Sequence, residues 1–243
     1  LLITISTIFI GSIFIGPASS IISTLTVLII IMLGILMTFL ISKILSKTIL
    51  KGESSSFVLE LPNYRRPQIL KVISRSIMDK IIFVLGRAIV VAAPAGIIIW
   101  IFANSFIGDV SILTYIANFL DPFAKLMGMD GYILCAFILA IPANEIVLPI
   151  ILMSYLANGT LIDIEDLKSI GEILRQNGWT ILTAINVMIF SLLHFPCGTT
   201  LLTIKKESGS LKWTAISFIL PVICGIIVCM LTTGIYFCCL KFI

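Results

Sequence analysis

Long uncharged apolar runs separated by short polar or broken stretches dominate this chain. Ile21 to Ser42 is rich in Ile and Leu and holds no charged residue. A helix needs about 20 mostly apolar residues to cross a hydrocarbon core about 30 Å thick, so this run predicts the first full transmembrane span. Residues 1–15 are equally apolar and read as the end of a helix whose start precedes the sequence, broken at Gly16-Pro17. Ile81 to Ala103 predicts another span, with Pro94 and Gly96 in its middle and Trp100 near the far interface. Residues 109–128 mix apolar and polar positions, and Asp121-Pro122 predicts a helix stop and restart. Tyr132–Leu156 and Thr180–Thr203 are two further hydrophobic segments, and Trp213–Phe237 predicts the last span. Over 163–177, Leu167, Ile170 and Leu174 share one face of a short amphipathic helix, with Asp163 as its N-cap and Asn177-Gly178 as its end.

Two of the apolar segments are interrupted where a span should be continuous. Pro142-Ala143-Asn144-Glu145 sits at the centre of 132–156, and His194-Phe195-Pro196-Cys197-Gly198 near the end of 180–203. Proline removes a backbone donor and glycine lets the chain bend. Non-helical backbone at membrane depth is tolerated only where protein buries it or it lines a cavity. Both breaks are therefore site candidates.

Composition removes the alternatives to a membrane protein. The chain has 243 residues, 59% of them hydrophobic and only 12% charged, and its mean hydropathy is +1.19. A soluble domain carries about 25% charged residues, and disorder needs low hydrophobicity with high charge. The apolar runs are continuous, not alternating, which argues against a transmembrane barrel. The expected fold class is all-α, a polytopic helical membrane protein with broken or re-entrant helices. There is no Gly-rich phosphate loop, no C-x-x-C pair and no basic region before the first apolar stretch. With Leu1 at its start, the chain reads as one part of a longer polypeptide.

Eight of the 16 Lys and Arg residues fall between Lys43 and Lys80. Such a cluster beside a span marks the cytoplasmic side, and nucleic acid is not an expected partner. The organisation read from this is a partial helix and first span over 1–42, a basic cytoplasmic linker with a surface helix over 43–80, and a transmembrane domain over 81–243 broken at 141–145 and 194–198. Lys205, Lys206 and Lys212 form a second basic loop. If both basic stretches face the cytoplasm, an even number of crossings separates them, yet three segments lie between. The preferred solution is that 132–156 enters and returns, turning at Pro142-Ala143-Asn144. Each limb would have only about ten residues, too few to span. The other solution is that 109–128 crosses.

Glu145 is the strongest candidate by physics alone, because a carboxylate in an apolar segment is expensive and marks a pathway by default. Its bland reading is a capping or inter-helix hydrogen-bonding Glu. Asn144 offers an amide oxygen to a cation, or else satisfies the broken turn. Cys197 lies at the second break, where a thiolate suits a borderline metal such as Fe2+ and freed carbonyls can coordinate cations; free cysteine is also a common small core residue. His194, three residues earlier, is a weaker ligand candidate. Thr199 and Thr200 can bond freed carbonyls or simply pack, and the other five cysteines are assigned to packing.

The residues at these places resemble a known family. Glu60-Leu61-Pro62-Asn63-Tyr64-Arg65-Arg66-Pro67 is similar to the E-L-P-x-Y-R-x-P linker of bacterial ferrous iron transport protein B. Pro142-Ala143-Asn144-Glu145-Ile146-Val147 is similar to its A-K-E-I-V motif, with Asn144 where many members carry Lys. Pro196-Cys197, followed by Ile204-Lys205-Lys206-Glu207-Ser208-Gly209-Ser210-Leu211-Lys212-Trp213, resembles its P-C and I-[KR]-[KR]-E-[ST]-G-S-x-K-W block. The motifs occur in the family's order and cover most of 43–237.

The resemblance implies a permease portion of a Fe2+ uptake transporter in the bacterial cytoplasmic membrane, not an enzyme. Of the site residues the resemblance implies Cys197 on the ion path; with the reading of the residues above, the expected path is Pro142, Asn144, Glu145, Pro196, Cys197 and Thr199, with Cys197, Glu145 and His194 as ligands of the passing ion. No permanently bound cofactor is expected. Fe2+ would be cargo, and GTP would act only through an N-terminal GTPase domain absent from this chain. Expected partners are membrane lipid, that GTPase domain, the first gate region of the same transporter and a second copy. The rival readings are a gate-fold carrier for a nucleoside or another divalent metal, and a non-transporting membrane scaffold. An intramembrane enzyme has neither a catalytic dyad nor a plausible thiol pair.

Overall fold

The computed structural model describes residues 1–10, 17–48, 83–108, 110–156 and 167–241. The family-like linker at 60–67 and the expected surface helix at 68–80 lie outside them, as does Asp163. The described residues form an all-α architecture: α1 (Leu2–Phe9), α2 (Pro17–Thr48), α3 (Phe83–Asn104), α4 (Ile112–Leu126), α5 (Gly131–Leu139), α6 (Val147–Leu156), α7 (Leu167–Gln176), α8 (Ile181–Leu193), α9 (Gly198–Ser208) and α10 (Leu211–Lys241). A two-residue ribbon joins α3 to α4, pairing β1 (Phe106–Ile107) with β2 (Val110–Ser111).

Three stretches are long and apolar enough to cross a membrane: Ala18–Lys47, Ile181–Ser208 across the second break, and Leu211–Leu240. The 22 residues of α3 rise about 33 Å at 1.5 Å each, also enough to cross. The outer helices expose large apolar side chains, such as Phe39 at 71% and Ile235 at 63%. In water such faces would be costly; against lipid tails they are matched. Pro17 opens α2 at the first helical position, where its missing N–H costs nothing, and the helix runs past Ser42 to include Lys43 and Lys47.

The core is built from the short helices. Ile5, Ile8 and Phe9 of α1, most of α5, and Val187, Met188 and Phe190 of α8 are buried. The apolar start of the chain is thus an inner helix, held to α2 by the Ser6 hydroxyl donating to the Ser23 carbonyl at 2.8 Å. On α7, Ile170 and Leu174 are buried as the shared face predicts, whereas Leu167 is exposed. The helix ends where expected. Gly178 takes φ +83°, its N–H reaches Arg175 O, and Trp179 N–H reaches Leu174 O, which satisfies the last carbonyls.

The expected stop at Asp121-Pro122 is absent. The helix α4 runs through Pro122 to Leu126, because a proline removes only one backbone bond and Asp121 is not used as a cap. The Asp121 carboxylate instead pairs with Lys125 and accepts from Gly131 N–H at 3.2 Å, fastening the corner that follows. There the chain bends by 109° into α5. A Cβ at Gly131 would lie 1.9 Å from the Ala117 carbonyl oxygen, so only glycine allows this approach.

Segment 132–156 doubles back, so that its two ends meet. Its limbs, α5 and α6, have nine and ten residues. The Tyr155 hydroxyl at the end of α6 donates to the carboxylate of Asp130, the N-cap of α5, whose other oxygen accepts from Ile133 N–H at 2.8 Å. Trp179 Nε1–H donates to Tyr155 Oη at 2.8 Å, tying both ends to the start of α8.

Candidate functional site

The two predicted breaks meet. Backbone helicity stops at Ala140 and resumes as a single 3-10 turn over Asn144–Ile146 before α6. The second break runs from His194, at the end of α8, to Cys197, the N-cap of α9. Gly198 N–H donates to the Ile141 carbonyl at 2.8 Å, so a carbonyl freed by one break satisfies an amide freed by the other.

Two cavities adjoin this junction. One, of about 600 Å³, lies between α2, the second break and α10, and is lined in part by Thr38, Asn144, Ser191, His194, Pro196 and Cys224. The other, of about 410 Å³, is lined in part by Leu2, Phe137, Asn144, Glu145, Ser191 and His194. Asn144, Ser191 and His194 therefore border both.

The structure brings Asn144, Glu145 and His194 to one cavity wall and Pro196 to the other cavity. Glu145 is exposed in this chain. The Cys197 thiol is turned toward its own helix, with the Thr199 and Thr200 hydroxyls both 3.1 Å from Sγ. Neither Cys197, Thr199 nor Pro142 lines the two cavities. Among the described residues, no three of the His, Cys, Asp and Glu side chains gather closely enough to hold a metal ion. All six cysteines are free.

Ser191 and the residues of α1 were not legible as site residues. Ser191 stands three positions before His194, and that i, i+3 spacing places both on one helix face. Leu1, Leu2 and Ile3 carry no signal of their own; they reach the wall because α1 folds inward.

The sequence matches two family models. One, described as "Ferrous iron transport protein B C terminus", covers residues 27–79; the other, the gate model described as "Nucleoside recognition", covers 85–211. A "Fe(2+) transporter FeoB" of Staphylococcus aureus (strain MSSA476) is 31% identical over 209 residues, 82% of this chain and 30% of that protein. Proteins with the same description from Leptospira biflexa and Leptospira interrogans are 26% and 24% identical, over 77% and 81% of the chain and 29% and 31% of their own lengths. The chain thus spans less than a third of these relatives. No solved structure matches it.

Proposed function

Because the chain belongs to the ferrous iron transport protein B family, as a C-terminal stretch of its membrane part, we propose that it is the permease portion of a bacterial Fe2+ uptake transporter. The observation that carries this reading is the meeting of two helix breaks within an apolar bundle, sealed by the Gly198–Ile141 backbone bond. Broken helices near mid-membrane are how carriers bind ions without a rigid cage. Fe2+ is the cargo, passing Glu145 as a hard ligand and Cys197 as a soft one. Reaching Cys197 requires its thiol to turn from Thr199 and Thr200. Mixed, weak ligation lets the ion leave again.

The work done is movement of an ion, with no bond made or broken by this chain. It holds no permanent cofactor, and GTP acts through an N-terminal domain of the longer protein. That domain, an earlier gate region and a second copy are its protein partners, and the surrounding lipid is the cytoplasmic membrane, with 43–80 on the cytoplasmic face.

The test is Fe2+ uptake into cells expressing the full-length parent at matched membrane levels. Cys197→Ser and Glu145→Gln are each expected to lower uptake about tenfold or more, the scale of losing one metal contact. If both leave uptake untouched, these two residues are off the path. An excess of nucleoside is expected to leave Fe2+ uptake unchanged; competition by nucleoside would favour the other gate-fold reading.

A further inference from the structure

His194 is 9% exposed and packed among aromatic rings, with centroids of Phe195 at 5.0 Å and Phe137 at 5.3 Å. Neither Nδ1 nor Nε2 has a hydrogen-bond partner. The carbonyls of Phe190 and Ser191 face the ring from the preceding turn without meeting hydrogen-bond geometry. From the other break, the Oδ1 atom of Asn144 is also buried and unpartnered. An unmet buried polar atom is costly, and three stand at this one junction. They do not stand in sealed protein: His194, Asn144 and Ser191 border both the cavity of about 600 Å³ and that of about 410 Å³.

We infer that His194 and Asn144 form a ligating partition between the two cavities, at which a divalent first-row metal ion exchanges ligands as it passes from one to the other. The identity of the cargo rests on the transport reading above. A neutral imidazole nitrogen suits borderline divalent metals, whereas an amide oxygen is a harder and weaker donor. Both are uncharged. Glu145 lines only the smaller cavity, so the ion leaves a carboxylate on one side and meets neutral donors at the partition. Neutral donors bind weakly enough to release, as conduction demands. Ser191, on the same face of α8 as His194, adds a hydroxyl at the same wall. The aromatic collar around His194 holds the ring in place.

Co2+ titrated into the purified full-length parent, followed by its visible absorption, tests the partition without relying on transport. His194→Gln is expected to weaken Co2+ binding about tenfold or more, and to raise the half-saturating Fe2+ concentration for uptake in cells by a similar factor. Asn144→Leu removes the second donor, leaves the ring packing untouched, and is expected to shift both readouts in the same direction. It carries the test alone if His194→Gln does not fold. Unchanged Co2+ binding and half-saturation in the folded variants would mean that water alone satisfies these atoms, and would overturn the inference while leaving the transport reading intact. A wild-type protein that takes up no Fe2+ yet loses Co2+ binding on substitution would overturn the transport reading and keep the partition.

Discussion

At the scale of the residue, side chains that looked alike in sequence have separate duties. Asp121 and Asp130 both belong to the sharp corner between α4 and α5. Asp121 accepts from Gly131 N–H, while Asp130 caps α5 through Ile133 N–H and receives the Tyr155 hydroxyl. Gly131 is the geometric pivot. Gly131→Ala would set a methyl 1.9 Å from a backbone oxygen, which no rotamer can relieve. Overpacking of this kind costs about 1–3 kcal/mol or more. The expected result is a lower thermal midpoint and poorer recovery of the purified full-length protein, checked by fluorescence-monitored melting; an unchanged midpoint would refute the tight crossing. Asn186 is the buried counterpart. Its Nδ2 donates to Met127 O at 2.8 Å and to Thr233 Oγ1 at 2.9 Å, and its Oδ1 accepts from the Thr232 hydroxyl. One amide thus joins the end of α4, α8 and α10. Its position within an apolar run in sequence gave no hint of three partners.

At the scale of the element, the doubled-back segment 132–156 is the piece that positions the site. Each limb is short, with nine and ten residues, so the segment depends on bonds at its ends and at its tip. The relay from Trp179 through Tyr155 to Asp130 anchors the ends, and the Gly198–Ile141 bond supports the tip. Tyr155→Phe removes the hydroxyl that both donates and accepts, leaving the indole N–H and a carboxylate oxygen unmet. The expected cost is about 1–3 kcal/mol for each group left buried. Hydrogen exchange over 131–156 is expected to accelerate in this variant while α10 keeps its wild-type protection. Equal acceleration everywhere would point to global destabilisation instead. The breaks themselves were legible because proline and glycine interrupt otherwise uncharged helices. That they meet was not legible, since Ile141 and Gly198 are joined through backbone atoms that every residue carries. The continuation of α4 through Pro122 escaped the pattern for a related reason: a proline signals a lost bond, and tertiary contacts decide whether the helix stops.

At the scale of the whole molecule, exposed and enclosed helices divide cleanly. The helices α2 and α10 are mostly exposed within the chain, while the stretch Ile181–Ser208 is largely enclosed. If 132–156 enters and returns, as the sequence reading prefers, two crossings, α3 and α8–α9, separate the two basic stretches. Those stretches should then lie on the same face, in keeping with the positive-inside rule. In the full-length parent, Ser54→Cys and Ser210→Cys are expected to react with a membrane-impermeant maleimide from the same side of oriented vesicles. Labelling from opposite sides would mean that an odd number of segments crosses between them, and the re-entrant reading would fall.

The linear pattern alone determined that this is a helical membrane protein, where its long helices lie, and that two of its apolar segments are broken. Those features depend on local hydrophobicity and on backbone chemistry at proline and glycine, which a single chain displays directly. Its motifs also placed it in its family. Only the tertiary structure decided that α1 is an inner helix, that the breaks adjoin, and that Asn144, Ser191 and His194 stand between two cavities while Cys197 turns toward Thr199 and Thr200. In segments apolar on every side, no periodicity distinguishes the face turned to lipid from the face turned inward. The choice is made by close packing and by which buried polar atoms find partners, and both are properties of the assembled helices.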